Sequence, residues 1–272
     1  MSALRLPGVV VRGGGDLASG VAWRLFRCGF PVLVLELPHP LVIRRTVAFA
    51  SAVFDGTCEV EGVEGRRVAC PDRLQNEEYV GVTVDAEGDA LRRLGPPVVV
   101  DARMSKRRED TCVADAPLVI ALGPGFVAGR DCHFVVETQR GHHLGRVYSC
   151  GEAAPDSGLP GSVGGQTVLR LLRAPCSGVF EAAVKIGDRV RAGESVGTVG
   201  GQPVLAAIAG TVRGLLWTPT AVCSGLKIGD VDPRSPEDFD LRSISDKARA
   251  VAGGVIEAIL SARQSPRGGL SR

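Results

Sequence analysis

Residues 9–37 read VVVRGGGDLASGVAWRLFRCGFPVLVLEL, and this stretch decides the predicted fold class. A β-branched run at residues 9–11 leads into three glycines, a helical apolar pattern continues to Gly29, and a second apolar run ends at Glu36. Apolar residues at helical spacing between two short apolar runs are typical of a strand, a helix and a second strand. We therefore predict a βαβ unit with parallel strands.

The loop after the first predicted strand has the spacing of a phosphate-binding turn. Its residues, which fit G-x-G-x-x-G/A, are Gly13, Gly14, Gly15, Asp16, Leu17 and Ala18. Glycine lets a phosphate approach the backbone, the helix N-terminus offers free N–H groups, and Glu36, about 20 residues on, can accept a ribose hydroxyl. We predict a nucleotide loop here, with a structural turn as the alternative. Because Asp16 would repel phosphate, it either caps the helix or binds a hydroxyl or ammonium group.

The composition is that of a globular chain. With 272 residues and a net charge of +2, the chain is long enough for one large or two medium domains. No apolar run approaches the roughly 18 residues of a transmembrane helix, and the first residues do not read as a signal peptide. The eight cysteines form no C-x-x-C pair, which favours a reducing compartment over a zinc or disulfide framework. We expect a cytoplasmic protein that binds neither nucleic acid nor a membrane.

Later predicted strands also end in polar or glycine residues. Arg44 and Arg45 follow the second strand and are candidate anion binders, with surface arginines as the alternative. The residues at the ends of the next two apolar runs are Asp101, Arg103, Gly123, Gly125 and Phe126. Because the carboxyl ends of parallel strands form one crevice in open α/β sheets, we expect all of them to face the same ligand as the glycine loop.

A polar pattern follows at residues 131–143. In DCHFVVE, the alternation of a strand places Asp131, His133 and Glu137 on one face, and Arg140 and His142 come in the turn after it. The pattern leaves three alternatives open: an antiparallel hairpin with a solvated face, a hairpin that contacts a ligand, and a metal site of histidine with carboxylates. If the hairpin contacts a ligand, His133 and His142 are the candidate catalytic residues.

The second half of the chain contains an internal repeat. After a loop rich in Gly, Pro and Ser, a shift of 32 residues aligns Gly178 with Gly210 and Gly193 with Gly225. Two such β units should pack together as a barrel sandwich. The segments AAIAGTV, KIGDRVRAGESVG and AVCSGLKIGD resemble those of the biotinyl/lipoyl hammerhead domains. The hairpin between the halves, VGGQPVL, has no lysine, so we interpret this barrel as a docking or structural module and not a carrier.

The predicted architecture is therefore α/β. A Rossmann-like nucleotide- or cofactor-binding domain with a parallel sheet covers residues 1–165, and a biotinyl/lipoyl-like (hammerhead) β-barrel sandwich covers residues 166–234. A C-terminal helix at residues 235–263 and a disordered tail at 264–272 follow. Gly253 and Gly254, inside that helix, indicate close packing against a neighbour.

Separated segments along nearly the whole chain resemble one family. In order, they are VVVRGGGDLASGVAWRL, PLVIRRTVAFASAVFDG, VVVDARMSK, APLVIALGPGF, DCHFVVETQRGHHLGRV and KIGDVDPR. They resemble the YqeB-type selenium-dependent molybdenum hydroxylase system proteins, which are distantly similar to the XdhC accessory proteins. The resemblance extends to the loop from Gly13 to Ala18 and to Arg44, Arg45, Asp101, Arg103, Gly123, Gly125, Asp131, His133, Glu137, Arg140, Gly141 and His142.

The resemblance implies an accessory or maturation factor for a molybdenum hydroxylase. Such a factor would bind a nucleotide or molybdopterin-type cofactor in the Rossmann crevice, and its partners would be the hydroxylase apoenzyme or other maturation proteins. The alternative is a cytoplasmic NAD(P)-dependent oxidoreductase that uses the same loop, for which Glu36 favours NAD. Whether the chain is an enzyme stays open at this point. No bound metal is expected, and a homo-oligomer is one expected assembly.

Overall fold

The computed structural model describes residues 6–75, 78–105, 110–156, 158, 161 and 163–264. These residues divide into two compact units. The first unit takes the chain up to Pro40, then Val47–Asp156, and then the chain from Ile244 onward. The second unit takes Leu41–Thr46 and the chain between Asp156 and Ile244. The tail predicted at 264–272 lies outside the described residues from position 265 onward.

A mixed sheet organises the first unit. Its strands are β1 Val9–Arg12, β2 Val32–Glu36, β3 Thr57–Val60, β4 Val63–Arg67, β5 Val80–Val84, β6 Val98–Asp101, β7 Leu118–Leu122, β9 Phe134–Val136 and β10 Val147–Tyr148. They lie in the order β10-β9-β7-β6-β1-β2-β5-β4-β3, while β8 (Val127–Ala128) and β11 (Gly151–Glu152) pair separately. The α-helices of this unit are α1 Asp16–Arg27, α2 Ala52–Asp55, α3 Asp89–Leu94 and α4 Asp246–Gln264.

The centre of this sheet confirms the predicted βαβ unit. β1 pairs in parallel with β2 on one side and with β6 on the other, and α1 joins β1 to β2. Val9, Val10 and Val11 are fully buried, as expected for a continuous apolar run covered on both faces of a parallel sheet. The carboxyl ends of these strands therefore lie side by side, and the loops that follow them form one edge of the sheet.

One face of the sheet is covered by α1 and α4. The two helices approach closely at Gly20, where an added Cβ would lie 2.8 Å from the Cβ of Ala248. Val251, Val255 and Ile259 of α4 are fully buried in this layer, and each such side chain contributes about 1.5–3 kcal/mol. Like every other helix in the described ranges, α4 is not long and apolar enough to cross a membrane.

The paired glycines of α4 differ in their surroundings. An added Cβ on Gly254 would lie 2.3 Å from the carbonyl oxygen of Gly145 and 2.7 Å from Val136 Cγ1, which confirms the predicted close packing at this position. An added Cβ on Gly253 would meet open space. The prediction of close packing is therefore right for one glycine and wrong for the other.

The second unit consists of two antiparallel sheets. Its strands are β12 Leu171–Arg173, β13 Gly178–Ala182, β14 Arg189–Val190, β15 Ser195–Val199, β16 Gln202–Leu205, β17 Gly210–Leu215, β18 Thr220–Val222 and β19 Lys227–Asp232. One sheet has the order β12-β19-β17-β14 and the other β16-β15-β13-β18. The 32-residue repeat is visible in this order, because β13 and β17 start at Gly178 and Gly210 and take equivalent places in the two sheets. Phe180, Leu215 and Ile228 fill the core of this unit.

The predicted fold class is wrong. The sheet of the first unit is mixed, not parallel, because β3 and β10 pair antiparallel with their neighbours at its two edges. Its second face is covered by the six-residue α3 and by loops, whereas a doubly wound Rossmann fold has a layer of helices on each face. In the second unit, the strands form two separate four-stranded sheets, and the described backbone pairing does not close them into the predicted hammerhead barrel.

The cause of this difference lies in the connections. The chain between β6 and β7 contains a short 3-10 turn at Val113–Asp115 in its described part, and Glu61 and Gly62 form a tight hairpin between β3 and β4. Apolar periodicity identifies strands, but it does not say which of them are joined by crossover helices.

Candidate functional site

The glycine loop after β1 is closed by Glu36. The backbone N–H of Gly14 donates to Glu36 Oε2 at 2.7 Å, and the N–H of Leu37 donates to Oε1 at 2.7 Å. Burial raises the pKa of Glu36, and these two backbone hydrogen bonds act in the opposite direction. The Glu36 carboxylate, which was predicted to bind a ribose, therefore accepts backbone hydrogen bonds from the glycine loop and from the residue that follows it in the chain.

The loop also packs tightly against the rest of the first unit. The carbonyl of Gly14 accepts hydrogen bonds from the N–H of Ala50 at 3.0 Å and from Ser19 Oγ at 3.0 Å. An added Cβ on Gly14 would lie 2.9 Å from the nitrogen of Ala50. Only Gly15, which precedes α1 with φ −67°, has open space at its Cβ position among the three glycines. Gly14 is thus a packing glycine rather than a surface for a phosphate.

This geometry corrects the predicted function. Both the maturation factor that binds a cofactor in a Rossmann crevice and the NAD(P)-dependent oxidoreductase require a loop open to phosphate and a Glu36 free to meet a ribose. Because Glu36 is buried and bonded to the loop backbone, and because the sheet is not of the Rossmann type, both assignments are wrong. Leu17 and Ala18, predicted to bind the cofactor, are buried in the core beneath α1. Asp16 begins α1 and is half-buried.

Beside the loop, two arginines converge on one carboxylate. Arg12 donates to Asp110 Oδ2 at 2.8 Å and to Thr111 Oγ1 at 2.6 Å. Arg103 donates to Asp110 Oδ1 at 2.7 Å, to Asp101 Oδ2 at 2.6 Å and to Thr111 Oγ1 at 3.0 Å. The hydroxyl of Thr111 donates to Asp101 Oδ2 at 2.6 Å, so each member is fixed by at least two others. We call Arg12 and Arg103 the arginine pair.

The members of this network differ in exposure. The side chains of Arg12 and Asp101 are 5% and 1% exposed, whereas that of Asp110 is 59% exposed. Burial opposes the charge of Asp110, but the hydrogen bonds from the arginine pair outweigh it and lower the pKa of Asp110 to about 2. The arginine pair therefore holds an ionised carboxylate at its solvent side, and Asp101 holds Arg103 from the protein side.

The fold places the arginine pair next to the glycine loop. Arg12 ends β1, and Asp101 ends the neighbouring β6, so both lie at the carboxyl edge of the sheet. An added Cβ on Gly13 would lie 3.1 Å from the Cα of Arg103, which shows how closely the two loops approach. Of the sequence-predicted site residues, Asp101 and Arg103 thus lie beside the glycine loop.

The predicted polar strand has a structural part in the first unit. Asp131 accepts the backbone N–H of Val127 at 2.9 Å, and Glu137 accepts those of Thr138, Gln139 and Ala154 at 2.7–2.8 Å. Both carboxylates are 2% exposed. Because buried backbone donors require acceptors, these acids hold loops together instead of forming a solvated face.

The two histidines predicted as catalytic candidates, His133 and His142, have different surroundings. The N–H of Val119 donates to His133 Nδ1 at 3.0 Å, and burial lowers the pKa of His133, so this imidazole is neutral and fixed to β7. His142 is exposed in the turn after β9. Neighbouring Arg140 forms a bidentate ion pair with Asp246 at 2.7 and 2.9 Å. Across the described ranges, no three His, Cys, Asp or Glu side chains are grouped as a metal site.

The remaining predicted residues lie at other places. An added Cβ on Gly123 would lie 2.6 Å from Thr138 Oγ1, Gly125 has φ +107°, and Phe126 is buried on the opposite sheet face from α1. Arg44 and Arg45 belong to the second unit. Arg45 Nε donates to the carbonyl of Leu215 at 2.7 Å.

The half-buried thiol of Cys58 and the buried thiol of Cys132 have raised pKa values. Burial raises the pKa of Cys58 to about 11 and that of Cys132 to about 12. These thiols are protonated at neutral pH and act as small apolar side chains.

Sequence reasoning missed Arg12, Asp110 and Thr111. Arg12 carried a usable signal, because it is a charged residue that ends a buried strand at the ligand-binding edge of a parallel sheet. Asp110 and Thr111 follow no motif, and only the folded chain brings them to the end of β1.

Comparisons with known proteins give one close sequence match. No family model matches the chain. Among solved structures, the chain is weakly similar to a succinylglutamatedesuccinylase/aspartoacylase from Rhodobacter sphaeroides, with 15% identity, a TM-score of 0.30 and coverage of 84% of this chain and 86% of that chain. It is also weakly similar to an aspartoacylase family protein from Mesorhizobium loti, with 12% identity, a TM-score of 0.27 and coverage of 84% of this chain and 86% of that chain. TM-scores this low do not establish a shared fold.

The sequence match is to a bacterial protein. Over 255 residues the chain is 48% identical to "Uncharacterized protein YqeB" of Escherichia coli (strain K12), and the match covers 93% of this chain and 47% of that protein. The chain spans about half the length of the curated relative that it matches. Neither a molybdenum hydroxylase role nor likeness to the XdhC proteins is shown by this match. The chain is therefore similar in sequence to YqeB over most of its own length.

Proposed function

We propose that the first unit binds a small molecule through a carboxylate or phosphate group at the arginine pair. In the structure, Asp110 lies where that group would bind. A ligand displaces Asp110 and receives the hydrogen bonds that Arg12 and Arg103 give to it.

One observation carries this proposal. Asp110 offers each of its two oxygens to a different guanidinium group, at 2.8 and 2.7 Å, and its side chain is 59% exposed. Arg12 is almost completely buried, so its charge has to be paired in every state of the protein. An exposed carboxylate that pairs a buried arginine can be replaced by an anion from solution, because guanidinium groups bind carboxylate and phosphate oxygens in the same fork geometry.

The position in the fold agrees with this proposal. Ligands of open α/β sheets bind outside the carboxyl ends of the parallel strands, where Arg12 and Asp101 lie. The N-terminus of α1 follows the same loop, and its N-cap residue, Gly15, has no side chain with which to cap it.

The proposal concerns binding and not a chemical step. His133 is neutral and bonded to the backbone, and the pKa values of Cys58 and Cys132 are raised, so these side chains are unsuited to act as a proton donor or nucleophile. The expected cofactors, NAD(P) or a molybdopterin-type compound, the expected protein partners and the cytoplasmic location stay predictions.

The proposal is tested by thermal unfolding in the presence of inorganic phosphate, pyrophosphate and citrate, each against sodium chloride of equal ionic strength. We expect at least one of these anions to raise the melting temperature in a saturable way, because a ligand that binds only the folded state stabilises it. Arg103→Gln should abolish this increase. The matched control is Arg66→Gln, which breaks an exposed bidentate pair with Glu64 in the same unit and should leave the increase unchanged.

Two results would contradict the proposal. One is an increase that Arg103→Gln retains in full, with the variant folded by circular dichroism. The other is a melting temperature that depends on ionic strength alone for all three anions.

A further inference from the structure

Arg213 is the extra residue of a β-bulge in the second unit. The register between β17 and β19 shifts between Val212 and Gly214, so Arg213 has no residue opposite it. Bulges re-aim a side chain, and they are frequent next to binding sites. Arg213 is 17% exposed, and the nearest carboxylate oxygen that it contacts among the described residues is Asp232 Oδ2 at 3.8 Å, which is beyond hydrogen-bond distance.

The segment Leu41–Thr46 places a second arginine near the bulge. The N–H of Leu215 donates to the carbonyl of Ile43 at 2.9 Å, and Arg45 Nε donates back to the carbonyl of Leu215 at 2.7 Å. The guanidinium of Arg45 also lies over the ring of Trp217, 4.5 Å from its centroid. These contacts fix Arg44 beside β17, where it is 9% exposed.

The charges around the bulge do not balance. Arg170 pairs with Asp230 Oδ2 at 2.6 Å, and Arg234 forms a bidentate pair with Asp232 at 2.7 and 2.9 Å. Each of these carboxylates thus already has an arginine of its own. Arg44 and Arg213 are additional cations in the same cluster, and burial together with the charge of Arg44 lowers the pKa of Arg213. We call the side chains of Arg44, Thr211, Arg213 and Asp230 the bulge cluster.

Three buried polar atoms of the bulge cluster have no hydrogen-bond partner among the described residues. They are Arg44 Nε, Thr211 Oγ1 and Asp230 Oδ1. A buried polar group without a partner destabilises the folded state, so native structures rarely leave several of them together. Arg44 Nε requires an acceptor, and Thr211 Oγ1 can donate to one. Asp230 Oδ1 requires a donor, such as a hydroxyl or a water.

We propose that the bulge cluster is a binding site for a small tetrahedral oxyanion of the phosphate type. Its oxygens accept hydrogen bonds from Arg44, Arg213 and Thr211 and balance the excess positive charge. A protonated phosphate oxygen, or a water bound with the ion, donates to Asp230 Oδ1. Nothing in this site is shared with the arginine pair of the first unit.

The guanidinium groups of the bulge cluster favour a phosphate-like ligand over a metal cation. Guanidinium groups bind phosphate oxygens in their fork geometry, and the bulge cluster offers two that, among the described residues, have no carboxylate within hydrogen-bond distance. A metal cation is disfavoured, because Arg44 and Arg213 would repel it. A free phosphate ion and the phosphoryl group of a phosphate monoester share this chemistry, and the test distinguishes them.

The test uses the full chain and the arginine Nε–Hε signals in a ¹⁵N–¹H spectrum. Arg44→Lys and Arg213→Lys assign the two signals, and inorganic phosphate and methyl phosphate are then added in an Arg103→Gln background, which removes the site of the first unit. We expect a saturable shift of the Arg213 signal with phosphate and not with equal chloride. Arg44→Gln should weaken the affinity at least about tenfold, as expected for a lost hydrogen bond to a charged group.

A matched control variant keeps the bulge cluster intact. Arg189→Gln changes an exposed arginine of β14 in the same unit and should leave the affinity within about twofold, as for a screened surface charge. Methyl phosphate that binds as tightly as phosphate assigns the site to a phosphate monoester, and weaker binding assigns it to the free ion. No saturable shift with either compound, or an affinity unchanged in Arg44→Gln, overturns the proposal.

Discussion

The two neighbouring glycines of the loop after β1 should respond in opposite ways to the same substitution. An added Cβ on Gly14 would lie 2.9 Å from Ala50 N, 3.1 Å from Ala50 Cβ and 3.2 Å from Ala50 Cα, and all of these atoms are on or next to the backbone. An added Cβ on Gly15 would meet open space, and its φ of −67° suits any residue. Gly14→Ala and Gly15→Ala are therefore a matched pair.

The expected magnitudes follow from these contacts. Gly14→Ala has to push Ala50 away, and overpacking of this kind costs about 1–3 kcal/mol. The same movement strains the hydrogen bond from Gly14 N to Glu36 at 2.7 Å, so we expect a total loss of about 2–4 kcal/mol of unfolding free energy. Gly15→Ala should stay within about 0.5 kcal/mol, because its reduced unfolded-state entropy offsets the weaker preference for alanine at an N-cap.

The assay is urea unfolding followed by tryptophan fluorescence. Trp23 lies in the first unit and Trp217 in the second, so a Trp217→Phe background makes Trp23 report the first unit alone. The midpoints are compared at unchanged slope. If Gly14→Ala and Gly15→Ala shift the midpoint equally, or if Gly15→Ala is the more harmful change, the account of this loop as a packed turn closed by Glu36 is refuted.

Three further predictions concern the first unit. Because burial raises the pKa of Glu36, the unfolding free energy of the wild type relative to Glu36→Gln should fall as pH rises from about 4.3 through the raised value, and a difference that does not change with pH would contradict this. Because burial lowers the pKa of His133, the wild type should lose stability relative to His133→Asn as pH falls below about 6.5. The measurement is again the unfolding free energy of both proteins at a series of pH values. Gly254→Ala, whose Cβ would lie 2.3 Å from the carbonyl oxygen of Gly145, should lower the unfolding free energy by about 1–3 kcal/mol. Gly253→Ala, whose Cβ would meet open space, should stabilise α4 by up to about 1 kcal/mol. Equal shifts of the melting temperature in the two variants would be inconsistent with the packing of α4.

Local patterns in the sequence are enough to predict the local elements. The run at residues 9–11, the glycines and the helical apolar spacing define β1, α1 and β2. The alternation in DCHFVVE predicts a strand, of which Phe134–Val136 form β9, and Val135 packs on the opposite face from Val136. The helix predicted near the C-terminus is α4, although it begins at Asp246 and not at residue 235. The 32-residue repeat is likewise visible as equivalent strand positions in two sheets.

The partners of charged residues could not be predicted in the same way. Glu36, Asp131 and Glu137 read as ligand-facing acids, yet each accepts backbone N–H groups of loops whose course depends on long-range packing. A sequence shows where an acid stands along a strand, but it does not show which backbone donors the fold leaves buried without an acceptor. For the same reason, the partnership of Arg12 with Asp110, 98 positions later, is seen only in the structure.

The exposed carboxylate of Asp110 gives the most direct test of the proposed anion site. Calorimetric titration of the wild type and Asp110→Asn with the anion that stabilises the protein most compares the affinity of the arginine pair with and without its internal competitor. Because the Asp110 side chain is 59% exposed, its pairing with the arginine pair is worth about 1 kcal/mol, so we predict that Asp110→Asn binds the anion about fivefold more tightly than the wild type. Equal or weaker binding by a folded Asp110→Asn variant would contradict the account, because Asp110 would then be a structural partner of Arg12 and not a stand-in for a ligand.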